Sequence, residues 1–305
     1  MSMDGFLVLD KPAGLTSHDV VARVRRLLRQ KKVGHTGTLD PFATGVLPIA
    51  LGEGTKAIPF LDESHKAYRA VMRLGEATDT QDLTGQVLSR GDWRCLTPDR
   101  VEAVARLFIG TISQVPPMFS ALKRDGVPLY KLARQGTEVE RQPRNIEIVS
   151  LDLDRIDLPD VAFSVVCSRG TYVRTLAADM GERLECGAHL RELRRTRSGP
   201  FILADAVTLE QLAEAAVSGE LESLLVSPLA ALSHLPELQL TERGAAKVGN
   251  GIVPDVDDLE SGRDKVLPSG RVCLTHGGCL VAVAEADVEE SGRQVQIRHL
   301  LRVFN

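Results

Sequence analysis

The spacing of hydrophobic and polar positions along this chain predicts a mixture of short strands and amphipathic helices. Apolar or alternating runs that predict strands occupy residues 5–10, 46–51, 66–74, 87–89, 146–154 and 161–168. Apolar residues that recur at three- and four-residue spacing predict helices after Thr16, at 57–61, after Thr97, at 172–184 and at 209–216. This order of elements favours an α+β fold.

The pattern changes near residue 230. Residues 227–238 have the composition of a linker, and a short helix at 241–248 follows them. Strands are then predicted at 271–275, 280–286 and 294–303. A chain of 305 residues is long for one compact core, so one large and one small domain are expected. We place the large domain at 1–230 and the small, mainly β domain at 238–305.

Three stretches of the chain are notably polar or basic. Residues 114–144 have a weak hydrophobic pattern, with six basic residues against three acidic ones and with Phe119 and Tyr130 between them. This composition predicts an exposed, mobile excursion. Residues 190–198 are interpreted as an arginine-rich segment that leads into a turn at 199–201, and residues 79–85 as an exposed polar turn.

The charge is unevenly distributed. The net charge is −4, which by itself does not favour a nucleic-acid-binding protein. Between residues 20 and 38, however, every charged residue is basic: Arg23, Arg25, Arg26, Arg29, Lys31 and Lys32. The acidic excess lies late in the chain, at Asp255, Asp257, Asp258, Glu260, Asp264, Asp287, Glu289 and Glu290. The early basic helix face is therefore a candidate phosphate-binding surface, and an ordinary solvated face is the alternative.

Composition excludes several other classes. The five cysteines are scattered without a CxxC pair, which indicates reduced thiols rather than a zinc site or a disulfide framework. No apolar run has the length of a membrane span, and the N-terminus lacks a signal-peptide pattern, so a cytoplasmic protein without a membrane partner is expected. The glycine-rich stretch at 52–56 lacks P-loop spacing, which argues against a nucleotide-driven enzyme.

The strongest candidate for chemistry is the loop at residues 34–48 (GHTGTLDPFATGVLP). Asp40 is its one carboxylate, Pro41 restrains it, and His35 precedes it by five residues. A single carboxylate on a stiff loop suits a nucleophile or a general base. An Asx-type turn is the alternative, because Asp before Pro often starts a turn.

This loop resembles the signature loop of the bacterial tRNA pseudouridine-55 synthases, the TruB family. Four further stretches resemble motifs of that family in the same order: LDKPAGLTS at 9–17, YRA with LG and TDTQD within 68–82, PPMFSALK at 116–123 and CSRGTYVRT at 167–175. The resemblance is specific from about residue 5 to residue 199 and weaker beyond. It shifts the interpretation of Asp40 from turn to nucleophile.

The resemblance implies a fold, a substrate and a partner. It implies a mixed, mainly antiparallel catalytic sheet, an inserted thumb at about 114–144 that closes on RNA, and a C-terminal PUA-like RNA-binding domain. The implied reaction is the isomerisation of uridine 55 in the T loop of tRNA, by base flipping and without cofactor or metal. The implied enzyme is a monomer that needs no protein partner.

The resemblance also assigns roles to individual residues. Asp40 corresponds to the catalytic aspartate, Arg174 to its ion-pair partner, and Tyr68 to the residue that stacks on the flipped base and is a candidate acceptor of the carbon-5 proton. The other residues carried over bind RNA or support the site: His35, which fills the vacated position, Tyr172 and Leu193 as pocket walls, Lys11 beneath the loop, and Lys123, Arg124, Lys131 and Arg134 on the thumb. The sequence does not distinguish attack of Asp40 on carbon 6, attack on carbon 1′ and a glycal route.

Two other functions were weighed. An RNA-binding or RNA-folding protein without chemistry would use the basic helix and the thumb, and an Asp40→Asn variant would separate it from an enzyme. A glycoside hydrolase would need paired carboxylates, for which Asp79 and Asp82 are the candidates. We reject the hydrolase because that segment is predicted to be an exposed turn without an aromatic sugar platform.

Overall fold

The computed structural model describes residues 3–261, 270–288 and 295–304. The predicted acidic residues Asp264, Glu289 and Glu290 and the first residue of the last predicted strand lie outside these ranges. In the described part of the chain up to residue 226 the strands are β1 (Gly5–Lys11), β2 (Val33–His35), β3 (Thr44–Leu51), β4 (His65–Leu74), β5 (Glu76–Thr78), β6 (Val87–Arg90), β7 (Gly110–Gln114), β8 (Lys123–Arg124), β9 (Val127–Pro128), β10 (Arg144–Asp157), β11 (Asp160–Ser168), β12 (Ala188–Ser198), β13 (Phe201–Ile202) and β14 (Leu225–Val226).

Ten of these strands form one mixed sheet. Its order is β14-β1-β3-β12-β4-β11-β10-β7, with β2 paired to β3 and β13 paired to β12. Strands β12 and β3 run parallel, and the other neighbours are antiparallel. The predicted strands all form, within one to three residues at their ends. The predicted α+β fold with a mixed, mainly antiparallel sheet is confirmed.

Several helices pack their apolar faces against the sheet. In the described ranges they are α1 (Ser17–Leu27), α2 (Gly54–Ala57), α3 (Pro98–Arg106), α4 (Leu129–Arg134), α5 (Val173–Arg183), α6 (Leu209–Ser218), α7 (Pro228–Ala231) and α8 (Glu242–Gly249). The side chains of Thr16 and Thr97 cap α1 and α3, as predicted. The apolar sides of α1, α3, α5 and α6 share one core with the inner face of the sheet. The predicted helix at 57–61 is instead the end of α2 followed by a 3₁₀ turn at Ile58–Phe60.

The arginine-rich segment at 190–198, for which no strand was predicted, forms most of β12. This strand lies between β3 and β4 near the middle of the sheet. Its register against β4 shifts at two places, between Leu190 and Glu192 and between Arg195 and Arg197. Each bulge breaks the two-residue alternation that would have revealed a strand.

The prediction that residues 227–238 form a linker is wrong. Residues Ala231 and Leu232 are buried in a second core that contains Phe6 and Phe201 from the large sheet. Cys273 and Val283 from the C-terminal sheet belong to the same core. This segment therefore packs between the two sheets.

A second sheet follows. Its strands are β15 (Glu237–Leu240), β16 (Leu259–Ser261), β17 (Gly270–His276), β18 (Cys279–Val288) and β19 (Val295–Val303), in the order β16-β15-β17-β18-β19. Helix α8 packs on this sheet. The predicted small, mainly β unit with one helix is confirmed as part of the fold class. Within the described ranges, no helix has both the length and the apolar character needed to cross a bilayer.

Candidate active site

The loop between β2 and β3 is fastened from below. Lys11, at the end of β1, is fully buried, and its ammonium donates to the carbonyls of Ala43 (2.6 Å), Pro12 (2.8 Å) and Pro41 (3.2 Å). The hydroxyl of Ser17, the first residue of α1, accepts from the Leu39 N–H at 2.9 Å. Burial lowers the pKa of Lys11 to about 8. These bonds hold the backbone on both sides of Asp40.

Asp40 is paired with Arg174. The Arg174 Nε lies 2.8 Å from one carboxylate oxygen of Asp40, and an Nη donates to the other at 3.2 Å. The Arg174 side chain is 4% exposed, whereas that of Asp40 is 33% exposed. Arg174 is the second residue of helix α5, two positions after Tyr172 at the N-cap. The carboxylate can therefore be reached from outside while its counter-ion stays fixed.

Arg174 is itself anchored by two backbone carbonyls. Its guanidinium donates to the carbonyl oxygens of Thr80 and Phe119, each at 2.7 Å. Thr80 belongs to the polar turn between β5 and β6, and Phe119 to the PPMFSALK motif at the start of the thumb segment. Arg174 thus joins three of the motifs that the sequence keeps far apart.

The prediction of an exposed turn at residues 79–85 is wrong for Asp82. This residue is 4% exposed and lies 3.5 Å from Arg174. One of its oxygens accepts from the Thr84 hydroxyl (2.6 Å), the Thr80 hydroxyl (2.7 Å) and the Thr84 N–H (2.9 Å). The threonines two positions before and after Asp82 were the available signal, since they can close a turn around a carboxylate. Asp79 remains exposed, as expected.

The surroundings of Asp40 shift its pKa in opposite directions. Burial raises the pKa of the Asp40 carboxyl, and the Asp82 charge raises it further. The Arg174 and Lys11 charges and the Arg174 hydrogen bonds lower the Asp40 pKa, but the balance stays above the ordinary value. A carboxylate with a raised pKa is a better base and nucleophile than one at the surface once it is ionised.

Tyr68 and Arg195 lie side by side across β4 and β12. Tyr68 is buried, and burial raises the pKa of its phenol, whereas the charge and hydrogen bond of Arg195 lower it. The Arg195 guanidinium also donates to the carbonyls of Val46 (2.7 Å) and Gly37 (3.0 Å). Arg195 was not predicted as a site residue, because a fully buried arginine on a bulged strand leaves no periodic signal.

The remaining predicted residues are placed around this centre. Leu193 is buried on β12, two residues before Arg195. Tyr172 is half-buried, and its backbone N–H and carbonyl form reciprocal bonds with the buried Gln114 side chain at 2.8 and 3.2 Å. His35 is half-buried beside His18, with ring centroids 5.3 Å apart. Burial lowers the His35 pKa to about 4, so its imidazole is neutral at pH 7.

The thumb cations are not part of the centre. Lys123, Arg124, Lys131 and Arg134 are all exposed, and in the described ranges none of them bonds to Asp40. Arg124 donates to the Glu140 carbonyl at 3.0 Å, and Arg134 lies 5.6 Å above the Tyr130 ring. Their placement suits contact with a large ligand more than chemistry.

Known relatives match this chain over nearly its whole length. The description "TruB family pseudouridylate synthase (N terminal domain)" fits residues 25–173, and "tRNA pseudouridylate synthase B C-terminal domain" fits residues 174–233. A tRNA pseudouridine synthase B of Geobacter sulfurreducens is 62% identical over 99% of this chain and 100% of its own length. That of Syntrophotalea carbinolica is 46% identical over 99% of this chain and 98% of its own length.

Solved structures show the same fold. A Cbf5-Nop10-Gar1 complex contains a chain with a TM-score of 0.72 and 30% identity, matched over 98% of this chain and 85% of that one. An H/ACA RNP bound to a substrate RNA containing 2′-deoxyuridine matches with the same TM-score at 27% identity, over the same shares.

The family descriptions and the relatives that match the whole chain identify a pseudouridine synthase, which is an isomerase. More narrowly, this chain belongs to the TruB family of pseudouridylate synthases. The resemblance seen in the sequence motifs is confirmed.

Proposed function

We propose that this chain isomerises uridine 55 in the T loop of tRNA to pseudouridine, with Asp40 as the nucleophile. The supporting observation is the reachable Asp40 carboxylate, paired on both oxygens with an arginine that is itself buried. The relatives that match the whole chain are named tRNA pseudouridine synthase B, which supports tRNA as the substrate.

The proposed reaction rearranges one nucleoside and is redox-neutral. Asp40 attacks the nucleoside, and the bond between carbon 1′ and N1 breaks. The base then rotates, a bond forms between carbon 1′ and carbon 5, and the bond between Asp40 and the nucleoside breaks, which frees the carboxylate. Carbon 5 loses its proton and N1 gains one. Arg174 keeps Asp40 ionised and directed during these steps, because its charge opposes the effect of burial on the Asp40 pKa.

Tyr68 and His35 have different tasks in this proposal. The target uridine must leave the folded loop before Asp40 can reach it. The neutral imidazole of His35 fills the vacated place, since an uncharged ring costs less to bury among bases than an imidazolium. Tyr68 stacks on the flipped base and takes the carbon-5 proton. Burial holds the pKa of its phenol above the ordinary value, and the charge and hydrogen bond of Arg195 oppose that effect.

The rest of the chain binds RNA in the same proposal. Residues 1–230 form the catalytic domain, with a thumb at 114–144 whose exposed cations Lys123, Arg124, Lys131 and Arg134 contact the T arm. Tyr172 and Leu193 wall the base pocket. Residues 238–305 form a PUA-like domain that adds RNA contacts. The enzyme works as a cytoplasmic monomer without cofactor, metal or protein partner.

Mapping the product tests this proposal. Purified protein is incubated with an unmodified tRNA transcript, and pseudouridine is located by carbodiimide labelling and primer extension. We expect one new stop, at position 55, and none in a transcript that carries cytidine there. A stop elsewhere would contradict the site assignment, and the absence of any stop would contradict the proposed activity.

A further inference from the structure

Two cations meet at the backbone of Gly37, three residues before Asp40. A Cβ built on Gly37 would lie 3.0 Å from the Lys66 ammonium and 3.5 Å from an Nη of Arg195. Both side chains come from neighbouring strands of the central sheet. Lys66 is on β4, two residues before Tyr68 and so on the same face, and Arg195 lies opposite Tyr68 on β12.

Within the described ranges, these two charges lack a close anion. Among the described residues, neither Lys66 nor Arg195 has a carboxylate within 4.0 Å, and the Lys66 ammonium makes no hydrogen bond. Glu63 is the carboxylate whose charge acts on Lys66, from beyond that distance. Two like charges side by side in a partly desolvated place are costly unless an anion joins them.

The adjacent loop residues also carry polar atoms without partners. The Nδ1 of His35 and the hydroxyl of Thr36 are buried and make no hydrogen bond in the described part of the chain. Such groups are rare in folded proteins and call for a ligand or a bound water. Lys66 and Gly37 are only half-buried, so the place can be reached from the solvent.

We propose that Lys66 and Gly37 form a binding site for a backbone phosphate of the RNA substrate, with buried Arg195 as a second positive charge beneath it. The absence of a side chain at Gly37 leaves the room that a phosphate oxygen needs. This inference rests on the proposed function for the identity of the ligand. It adds a contact beside the reacting nucleotide that the exposed thumb cations, away from Asp40, do not provide.

The test measures whether Lys66 contacts one particular phosphate of the RNA. A T-arm stem-loop RNA is made with single neutral methylphosphonate linkages, one position at a time, and its Kd is measured for wild type, Lys66→Gln and Lys66→Arg. Lys66→Gln should weaken binding of the normal RNA about fivefold at physiological salt and reduce the salt slope by about 1. Lys66→Arg should stay near wild type.

One linkage should identify the contact. Its neutralisation should weaken binding to wild type and to Lys66→Arg but leave Lys66→Gln unchanged. Gly37→Ala, whose Cβ falls between the two cations, should lose the same coupling and serves if Lys66→Gln does not fold. Arg73→Gln is the matched control, because Arg73 lies on the same strand but on the opposite face.

The outcomes separate this site from the proposed function. If no linkage couples to Lys66, or if Lys66→Gln binds with wild-type affinity and salt slope, the phosphate site is wrong even when pseudouridine forms. If one linkage couples but the wild type forms no pseudouridine, the RNA site stands and the proposed function falls.

Discussion

The substitution Asp82→Asn tests whether the Asp82 carboxylate holds Arg174 in its working position. Asparagine keeps the oxygen that accepts from Thr80 and Thr84, so the turn should survive. It replaces the oxygen that faces Arg174 at 3.5 Å by an uncharged amide. The change therefore removes one of the two carboxylate partners of a guanidinium that is almost completely buried.

Coulomb's law gives the scale of the loss. At 3.5 Å and an effective dielectric constant near 20, the attraction between Asp82 and Arg174 is roughly 5 kcal/mol. The carbonyls of Thr80 and Phe119 still hold the guanidinium and should recover part of this energy. We expect a net loss of about 3 kcal/mol in the transition state, which corresponds to a rate about 10²-fold lower.

Single-turnover tritium release from carbon-5-labelled RNA measures this rate, with RNA affinity and thermal unfolding measured on the same samples. Asp79→Asn is the control, because Asp79 lies in the same turn but is exposed. The expected result is a slow Asp82→Asn enzyme with near-normal RNA affinity. A rate within threefold of wild type would refute the idea that Asp82 holds Arg174 in its working position.

Three further predictions follow from the same centre. Arg174→Leu should lower single-turnover activity at least 10³-fold, because Asp40 loses its counter-ion; near-normal turnover would remove the role assigned to Arg174. Tyr68→Phe keeps the ring but loses the hydroxyl, so RNA affinity should hold while the single-turnover rate falls about 10²-fold; an intact rate would exclude Tyr68 as proton acceptor. The rate should fall on acidification with a midpoint above the ordinary aspartate value of 3.8, because burial raises the Asp40 pKa and the ionised form reacts; in Asp82→Asn the midpoint should move down, and an unchanged midpoint would contradict the coupling.

Much of the fold was accessible from the sequence because its elements have clear periods. Strand β1 and helix α1 bury regular apolar positions, and Thr16 marks the start of the helix. Strand β12 was not predicted, because two bulges interrupt its alternation of polar and apolar residues and because its Arg195 is buried. The linker was misjudged because burial of Ala231 and Leu232 depends on a second sheet that the local sequence does not reveal.

Only some residues of the candidate site were predictable from the sequence. Asp40 was identifiable from its loop, and the family motifs pointed to Arg174 and Tyr68 as its companions. The contributions of Asp82 and Arg195 could not be predicted, since they depend on which face of a turn or strand meets Arg174 and Gly37 in three dimensions. Charge counts along the chain do not reveal Arg174 and Arg195, because both are buried.

The most direct test of the central claim compares wild type with Asp40→Asn in tritium release from carbon-5-labelled uridine in a tRNA transcript, with tRNA affinity measured in parallel. We expect release by the wild type, none by Asp40→Asn, and similar tRNA affinity for both. Release by both proteins would contradict the assignment of the chemistry to Asp40.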